Sequence, residues 1–348
     1  MIADKNNFIL EIPRIIFGTS SLGNLFTALD ENVKRDIVKE CVSHSTGKVV
    51  FDSAGKYGAG LALESLGKYL NELNVDPEEV IISNKLGWYR TELKTPEPTF
   101  ETGVWKDLKH DAVQMISYEG MMKCFEQGNE LLNGFIPEMV SVHDPDEYLM
   151  AATHPEDAAK RYEDILGAYS ALADLKASGK VKSIGVGAKD WETIACIVQD
   201  VKLDWVMIAN SMTIKCHPED LIKFMAQLEQ QNIAIINSAV FHSGFLTGGD
   251  YYDYKFINPD SADNISLISW RNSFFDVCND FDVNPADACV SFALRAPGVK
   301  SVALNTTNPK RVKENLNMTQ AIIPAMFWEQ LVKRGLINTS AIKADQMK

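Results

Sequence analysis

A parallel (β/α)8 barrel is the fold this sequence predicts, and three observations predict it. Short β-branched runs alternate about eight times with longer amphipathic stretches, the pattern of a parallel sheet with helices outside it. The first strand leads into Gly18-Thr-Ser-Ser-Leu-Gly23 and the second into Tyr57-Gly-Ala-Gly60. Neither has the GxGxxG spacing that opens a doubly wound dinucleotide fold. Two long connections, 88–115 and 247–264, follow strands three and seven, which places them at the C-terminal mouth where barrels carry their chemistry.

Element by element, strands are predicted over 15–18, 49–52, 80–84, 139–143, 183–187, 205–209, 234–237 and 301–304. Helices are predicted over 31–43, 63–73, 118–132, 155–177, 191–201, 218–230, 265–281, 285–294 and 309–316, from apolar residues three and four apart. Start signals support three of them: Asp190 before Trp191, His217-Pro218 followed by Glu219 and Asp220, and Asn308-Pro309. The connection after strand three is rich in Thr, Pro, Trp and acids, and that after strand seven carries Tyr251, Tyr252, Tyr254 and Phe256. Aromatics in both suit packing over a ligand. No repeat, low-complexity tract or linker interrupts the chain, so 1–348 reads as one domain.

Composition excludes several functions. The 348 residues are 46% apolar and 23% charged, an ordinary globular balance. With 34 Lys and Arg against 47 Asp and Glu, the net charge of −13 repels phosphate backbones and anionic membranes. No apolar run approaches the roughly 18 residues that span a bilayer, and the first fifteen residues lack the pattern of a signal peptide. Six scattered cysteines without CxxC pairs read as buried thiols of a reducing compartment rather than metal ligands. A cytoplasmic protein with a small-molecule partner is the expectation. Oligomeric state is not read from the chain.

Four residues lie at or just past the ends of strands two to four: Asp52, Tyr57, Lys85 and His143. A single charged residue ending a strand is simply where the strand meets water, but four converging on one mouth have a chemical logic. A phenol titrates near ~10, a poor acid or base at neutral pH. An adjacent ammonium stabilises the phenolate, a carboxylate holds the lysine, and a histidine orients the reacting oxygen. The set suits interconversion of a carbonyl and an alcohol without a metal. Side chains cannot supply the hydride, whereas a nicotinamide cofactor does.

The stretches FGTSSLGNL (17–25), FDSAGKYGAG (51–60), SNKLG (83–87), VHDPD (142–146), LKASGKVKSIGVGAKDW (175–191), NSAVFHSGFLTGG (237–249) and NPKRVKEN (308–315) together resemble the aldo-keto reductases along nearly the whole chain. The resemblance implies a (β/α)8 barrel, Tyr57 as general acid/base, Lys85 paired with Asp52, and His143 positioning the substrate oxygen. LGNL, YGAGL and SYEGMMKCFEQ (117–127) are similar to the branch of dehydrogenases acting on L-fucose, L-galactose and D-threo-aldoses, which oxidise an anomeric hydroxyl to a lactone.

For the cofactor, the resemblance implies contacts from Asn210, Ser238, Phe241, Gly244, Leu246, Asn305, Thr306, Thr307, Arg311, Glu314 and Asn315. The segment 305–315 opens a helix whose N-terminus suits a phosphate, or is merely a capped helix with a charged outer face. Asn305 stands where NADP-preferring members carry a lysine, which tilts the expectation from NADP toward NAD, although Lys310 and Arg311 are close by. The Ser-Asn pair of many members reads Gly187-Ala188, a Ser-Glu pair reads Ala62-Leu63, and Phe241 or Val240 takes the place of a stacking tyrosine. Asn210 and Ser211 are candidates for the lost polar contacts. Trp88 either walls the substrate pocket or packs in the core. Of the other histidines, 44, 110, 154 and 217 read as surface or capping residues and His242 as the one near the active face. The alternatives to a sugar dehydrogenase are an NADPH-dependent carbonyl reductase and a nucleotide-sensing subunit on the same barrel.

Overall fold

The apolar strand runs form the expected sheet. A computed structural model describes residues 12–253 and 255–341, so the reading of the first eleven residues and of Tyr254 lies outside the described residues. In chain order the strands are β1 (Ile15–Gly18), β2 (Val49–Ala54), β3 (Val80–Leu86), β4 (Trp88–Glu92), β5 (His110–Gln114), β6 (Met139–His143), β7 (Ser183–Ala188), β8 (Trp205–Ala209), β9 (Ala234–Ser238), β10 (Tyr251–Tyr252), β11 (Lys255–Phe256) and β12 (Val299–Leu304). Eight of them close a barrel in the order β1-β12-β9-β8-β7-β6-β3-β2. Every neighbouring pair around it is parallel.

The helices are α1 (Glu31–His44), α2 (Leu61–Glu72), α3 (Tyr118–Leu131), α4 (Pro145–Met150), α5 (Pro155–Ala177), α6 (Trp191–Asp200), α7 (Glu219–Gln230), α8 (Ile265–Asp280), α9 (Pro285–Arg295), α10 (Arg311–Asn317) and α11 (Ala325–Lys333). Asp190 caps α6 as its position suggests, accepting from the Glu192 and Thr193 amides. His217 does not cap α7. It is buried, bonded to the Thr213 carbonyl and accepting from the Asn338 amide. Helix α10 starts two residues later than predicted, because Asn308 Oδ1 takes the Lys310 amide in a turn of its own. Helices α4 and α11 were not predicted. Burial of Phe327, Trp328 and Leu331 holds α11, with Phe281 and Phe292 against its aromatic rings.

Both long connections contain structure that the composition hid. The first opens and closes as the antiparallel hairpin β4–β5, paired from Trp88↔Gln114 to Glu92↔His110. The second carries the small hairpin β10–β11. The two insertions meet the loop after β1 at neighbouring residues. Leu25 bridges to Trp105, the Phe26 amide donates to the Val104 carbonyl, and the Phe26 ring stacks on Tyr251 with centroids 5.4 Å apart.

Alternation along the strands separates two apolar layers. Residues such as Phe51, Ile82, Val140, Val206 and Ile235 belong to the large cluster between barrel and helices. Ile16, Val50, Ile81, Met139, Trp205, Met207 and Ile236 form a separate cluster filling the barrel's interior. Trp205 is the largest side chain there and is fully buried. A Cβ on Gly185 of the neighbouring β7 would enter the Trp205 ring, so the strand has room for that indole only because position 185 is glycine. Gly185→Ala is therefore expected to destabilise the fold by about 1–3 kcal/mol through overpacking, read as a lower denaturation midpoint with unchanged slope.

Candidate active site

The interior column that begins with Val50, Ile81 and Met139 continues, two or four residues on, to Asp52, Lys85 and His143. Period-two geometry thus delivers these three to the mouth on an apolar floor, and all three are buried. Lys85 Nζ donates to Asp52 Oδ2, and it lies 3.0 Å from the Tyr57 hydroxyl. Gly187, inward on β7, lies beside the lysine stem: a Cβ there would sit in ordinary van der Waals contact with Lys85 Cδ, 3.5 Å away.

Tyr57 stands on a turn rather than a strand. The Tyr57 amide returns to the Ala54 carbonyl and the Ala59 amide to Lys56. Gly58 (φ 61°) takes the left-handed conformation open to glycine. Gly58 and Gly23 also lie so close that a Cβ on either would strike the other segment's backbone. The glycines of LGNL and YGAG are thus one close approach, which seats the loop after β1 on the turn that carries Tyr57. The phenol is enclosed on two sides. His143 meets it edge-on at 5.6 Å, and Trp105 leans on it at 5.8 Å and 33°.

A second charged group lies beside this one, and sequence reasoning missed it. Lys56 is buried and donates to Glu101 (2.8 Å), Glu147 (2.9 Å) and Asp144 (3.0 Å). Asp144 Oδ2 also lies 3.4 Å from His143 Nε2, and Glu101 accepts from Trp105 Nε1 at 2.6 Å. Burial opposes the Lys56 charge, but the three carboxylates outweigh it and hold the ammonium above the usual lysine range. For His143, burial and then the Lys56 and Lys85 ammoniums push the imidazole well below its ordinary range, so it is neutral at physiological pH. Adjacency to Tyr57 and His143 was the only available signal for Lys56 and Asp144. Glu101 and Trp105 come from an insertion whose path no local pattern encodes.

The residues expected to hold a cofactor occupy the opposite half of the rim. Asn210 follows β8, Ser238 ends β9 with Phe241 to Leu246 after it, and Asn305 to Asn315 follow β12; these strands adjoin one another in the barrel. Asn210 has left-handed backbone (φ 62°), and its Oδ1 is buried without a partner among the described residues. Ser211, its fellow candidate, is already committed, donating to the Lys189 carbonyl at 2.5 Å. Ser238 donates to the Ile208 carbonyl at 3.4 Å, Phe241 is half-buried, Gly244 is left-handed (φ 91°) and Leu246 is buried. Asn305 accepts from Ser21 Oγ at 2.8 Å and donates to Ser20 Oγ at 3.0 Å. Thr306 bonds the Asn308 backbone, Thr307 is exposed, Arg311 and Glu314 are exposed on α10, and Asn315 is buried.

Trp88 is half-buried between Phe100, 5.6 Å away, and the Lys56 ammonium, 5.3 Å from its ring. It therefore belongs to the mouth and not to the barrel core. His242 is buried in a chain from Asp253 through its ring to Thr213, 2.7 Å at each step. His154 caps α5, and His44 pairs with Glu40 on the surface. Among the described residues no group of His, Cys, Asp or Glu is arranged to hold a metal, and no helix is long and apolar enough to cross a membrane.

Residues 14–334 match the model of the aldo/keto reductase family. The chain belongs to that family. A pyridoxal 4-dehydrogenase of Microbacterium luteolum is 26% identical over 339 residues, covering 94% of this chain and 96% of the relative. A D-threo-aldose 1-dehydrogenase of Pseudomonas sp is 25% identical over 344 residues, covering 95% and 96%. The fold is shared with a Bacillus halodurans aldo-keto reductase solved in its holo form (TM-score 0.65, 15% identity, 96% of this chain and 95% of that one). It is likewise shared with the glycerol dehydrogenase of Gluconobacter oxydans (TM-score 0.67, 15% identity, 92% and 90%). The protein is an NAD(P)-dependent oxidoreductase.

The neutral, buried histidines carry a pH dependence. Burial lowers both His143 and His217, so the unfolded chain binds protons that the folded chain does not. Stability is then fully present above the unfolded histidine value of about 6.5 and falls as the pH drops through it. Thermal midpoints between pH 7.5 and 5 are expected to show this acid-side loss, and His143→Gln is expected to make it shallower.

Proposed function

We propose that the protein oxidises the anomeric hydroxyl of an aldose of the L-fucose, L-galactose or D-arabinose type to a lactone, with Tyr57 as general base. The observation that carries this reading is the Tyr57 hydroxyl held 3.0 Å from the ammonium of a lysine already paired with Asp52. That cation favours the phenolate, which takes the C1 hydroxyl proton. Neutral His143 hydrogen-bonds the same oxygen and fixes its direction without adding a proton to the centre. Trp88 lines the mouth for the substrate. In the opposite direction the same phenol delivers a proton to a carbonyl oxygen, which is the carbonyl-reductase reading.

The cofactor half of the rim fits a nicotinamide dinucleotide. The buried, unpartnered Oδ1 of Asn210 is an acceptor suited to a carboxamide N–H. Ser238, Phe241, Gly244 and Leu246 would line the dinucleotide, and Asn305, Thr306, Thr307, Arg311, Glu314 and Asn315 its adenosine end. When bound, the nicotinamide supplies the hydride acceptor for the oxidation. Asn305 brings no charge, and both ends of its amide are bonded to Ser20 and Ser21. The cations of this segment, Lys310 and Arg311, are exposed, which supports NAD over NADP. The sugar class draws its support from the D-threo-aldose relative, and the pyridoxal relative makes an aromatic aldehyde such as pyridoxal its competitor.

Absorbance of the reduced nicotinamide, followed with NAD and NADP separately, tests the substrate. L-Fucose, L-galactose or D-arabinose is expected to reduce NAD while D-glucose does not; turnover only with pyridoxal, or only as aldehyde reduction by NADPH, would replace the sugar reading. Tyr57→Phe is expected to lower turnover by about 10²–10⁴-fold while the affinity for the dinucleotide, read by fluorescence, stays near wild type. Near-normal turnover in that variant would remove Tyr57 from the proton step.

A further inference from the structure

We propose that Lys56 is a positioning residue that keeps His143 neutral by neutralising the carboxylate that faces it. His143 Nε2 lies 3.4 Å from Asp144 Oδ2, a distance at which an unbalanced carboxylate draws a proton onto an imidazole. The same Oδ2 is 3.0 Å from Lys56 Nζ. One oxygen is therefore shared between a histidine and a buried ammonium, and the ammonium is the closer. Lys56 is nearly closed off from water: its side chain is 4% exposed and its remaining bonds go to Glu101 and Glu147.

The surroundings of His143 contain few other charges to do this work. Lys85 is held by Asp52 and turned toward Tyr57, whose ring packs on the imidazole. Glu147 is shared between Lys56 and Lys189, at 2.9 and 2.6 Å, so its charge is balanced from two sides. Asp146, in the first turn of α4, accepts from the Lys189 and Asp190 amides. Glu101 bonds Lys56 and the Trp105 indole. Remove the Lys56 charge and Asp144 becomes the nearest unbalanced partner of His143. The low proton affinity of the histidine comes first from burial and then from the Lys56 and Lys85 ammoniums, with Glu147 opposing them.

The inference rests on His143 being the residue that holds the reacting oxygen, but its test does not depend on turnover. Protein labelled with ¹⁵N-histidine is titrated by NMR from pH 5 to 9 without cofactor, the His143 signals being assigned through His143→Gln. In the wild type His143 is expected to stay neutral throughout. In Lys56→Met its midpoint is expected to rise by at least one unit into the measured range. Lys56→Arg, which keeps the charge, is expected to behave as wild type. Lys56→Met/Asp144→Asn is expected to return His143 to the neutral state, because the carboxylate that draws the proton is gone. Should Lys56→Met fail to fold, Lys56→Gln makes the same comparison with a polar side chain in place. A wild-type His143 midpoint near 6.5, or a His143 that stays neutral in the folded variant lacking the Lys56 charge, overturns the proposal. If the titrations behave as expected but Tyr57→Phe keeps full turnover, the role of Lys56 stands and the catalytic reading falls.

Discussion

Everything at the mouth depends on the two-residue repeat of the barrel strands. A strand that places Val50, Ile81 or Met139 inside must place Asp52, Lys85 or His143 inside as well, two or four residues later. A slip of one residue in any of these strands would turn a charged group into the helix layer and an apolar one into the mouth. The apolar interior and the charged site are thus set by the same register. Gly185 and Trp205 lie in that interior, below the reacting groups, so the packing that closes the barrel also supports the site.

On that floor the charges are arranged in two linked groups. Asp52, Lys85 and Tyr57 form one, in which the ammonium sits between a carboxylate and a phenol. Glu101, Lys56, Asp144 and Glu147 form the other, in which one ammonium faces three carboxylates. His143 stands between them. Each lysine is buried, and each is tolerated because its partners lie within bonding distance. Such pairs rarely stabilise a fold more than well-packed apolar residues would, so their presence is better explained by chemistry than by stability.

Much of this was legible in the chain, for identifiable reasons. The eight barrel strands are short, apolar and regularly spaced, so their existence and order follow from periodicity, with ends misplaced by one or two residues at β2, β3, β7, β9 and β12. Asp52, Lys85 and His143 could be found because each is a charged or polar residue closing an apolar run, although β2 and β3 continue past Asp52 and Lys85 to Ala54 and Leu86. Tyr57 could be found because the glycines around it mark a tight turn. What could not be found was anything that depends on an insertion returning to the mouth. Trp105 and Glu101 lie in a stretch of acids, prolines and threonines with no period. Their contacts with Tyr57 and Lys56 arise from the β4–β5 hairpin, whose pairing was not predicted. His217 was likewise misread as a surface or capping residue, because its partner Asn338 lies 121 positions on in sequence.

Leu25 and Phe26 deserve a mechanical reading. They are adjacent in the loop after β1, yet one bridges to Trp105 of the first insertion and the other stacks on Tyr251 of the second. Phe26 also takes the left-handed conformation (φ 60°) and bonds the Val104 carbonyl through its amide. The two insertions therefore hang from a common abutment two residues wide. Neither can swing away from the rim without breaking a contact at that point, and the turn beneath it carries the phenol through the Gly23–Gly58 approach. The two flaps and the reacting group are parts of one linkage, so access on one side of the barrel and access on the other are not independent events.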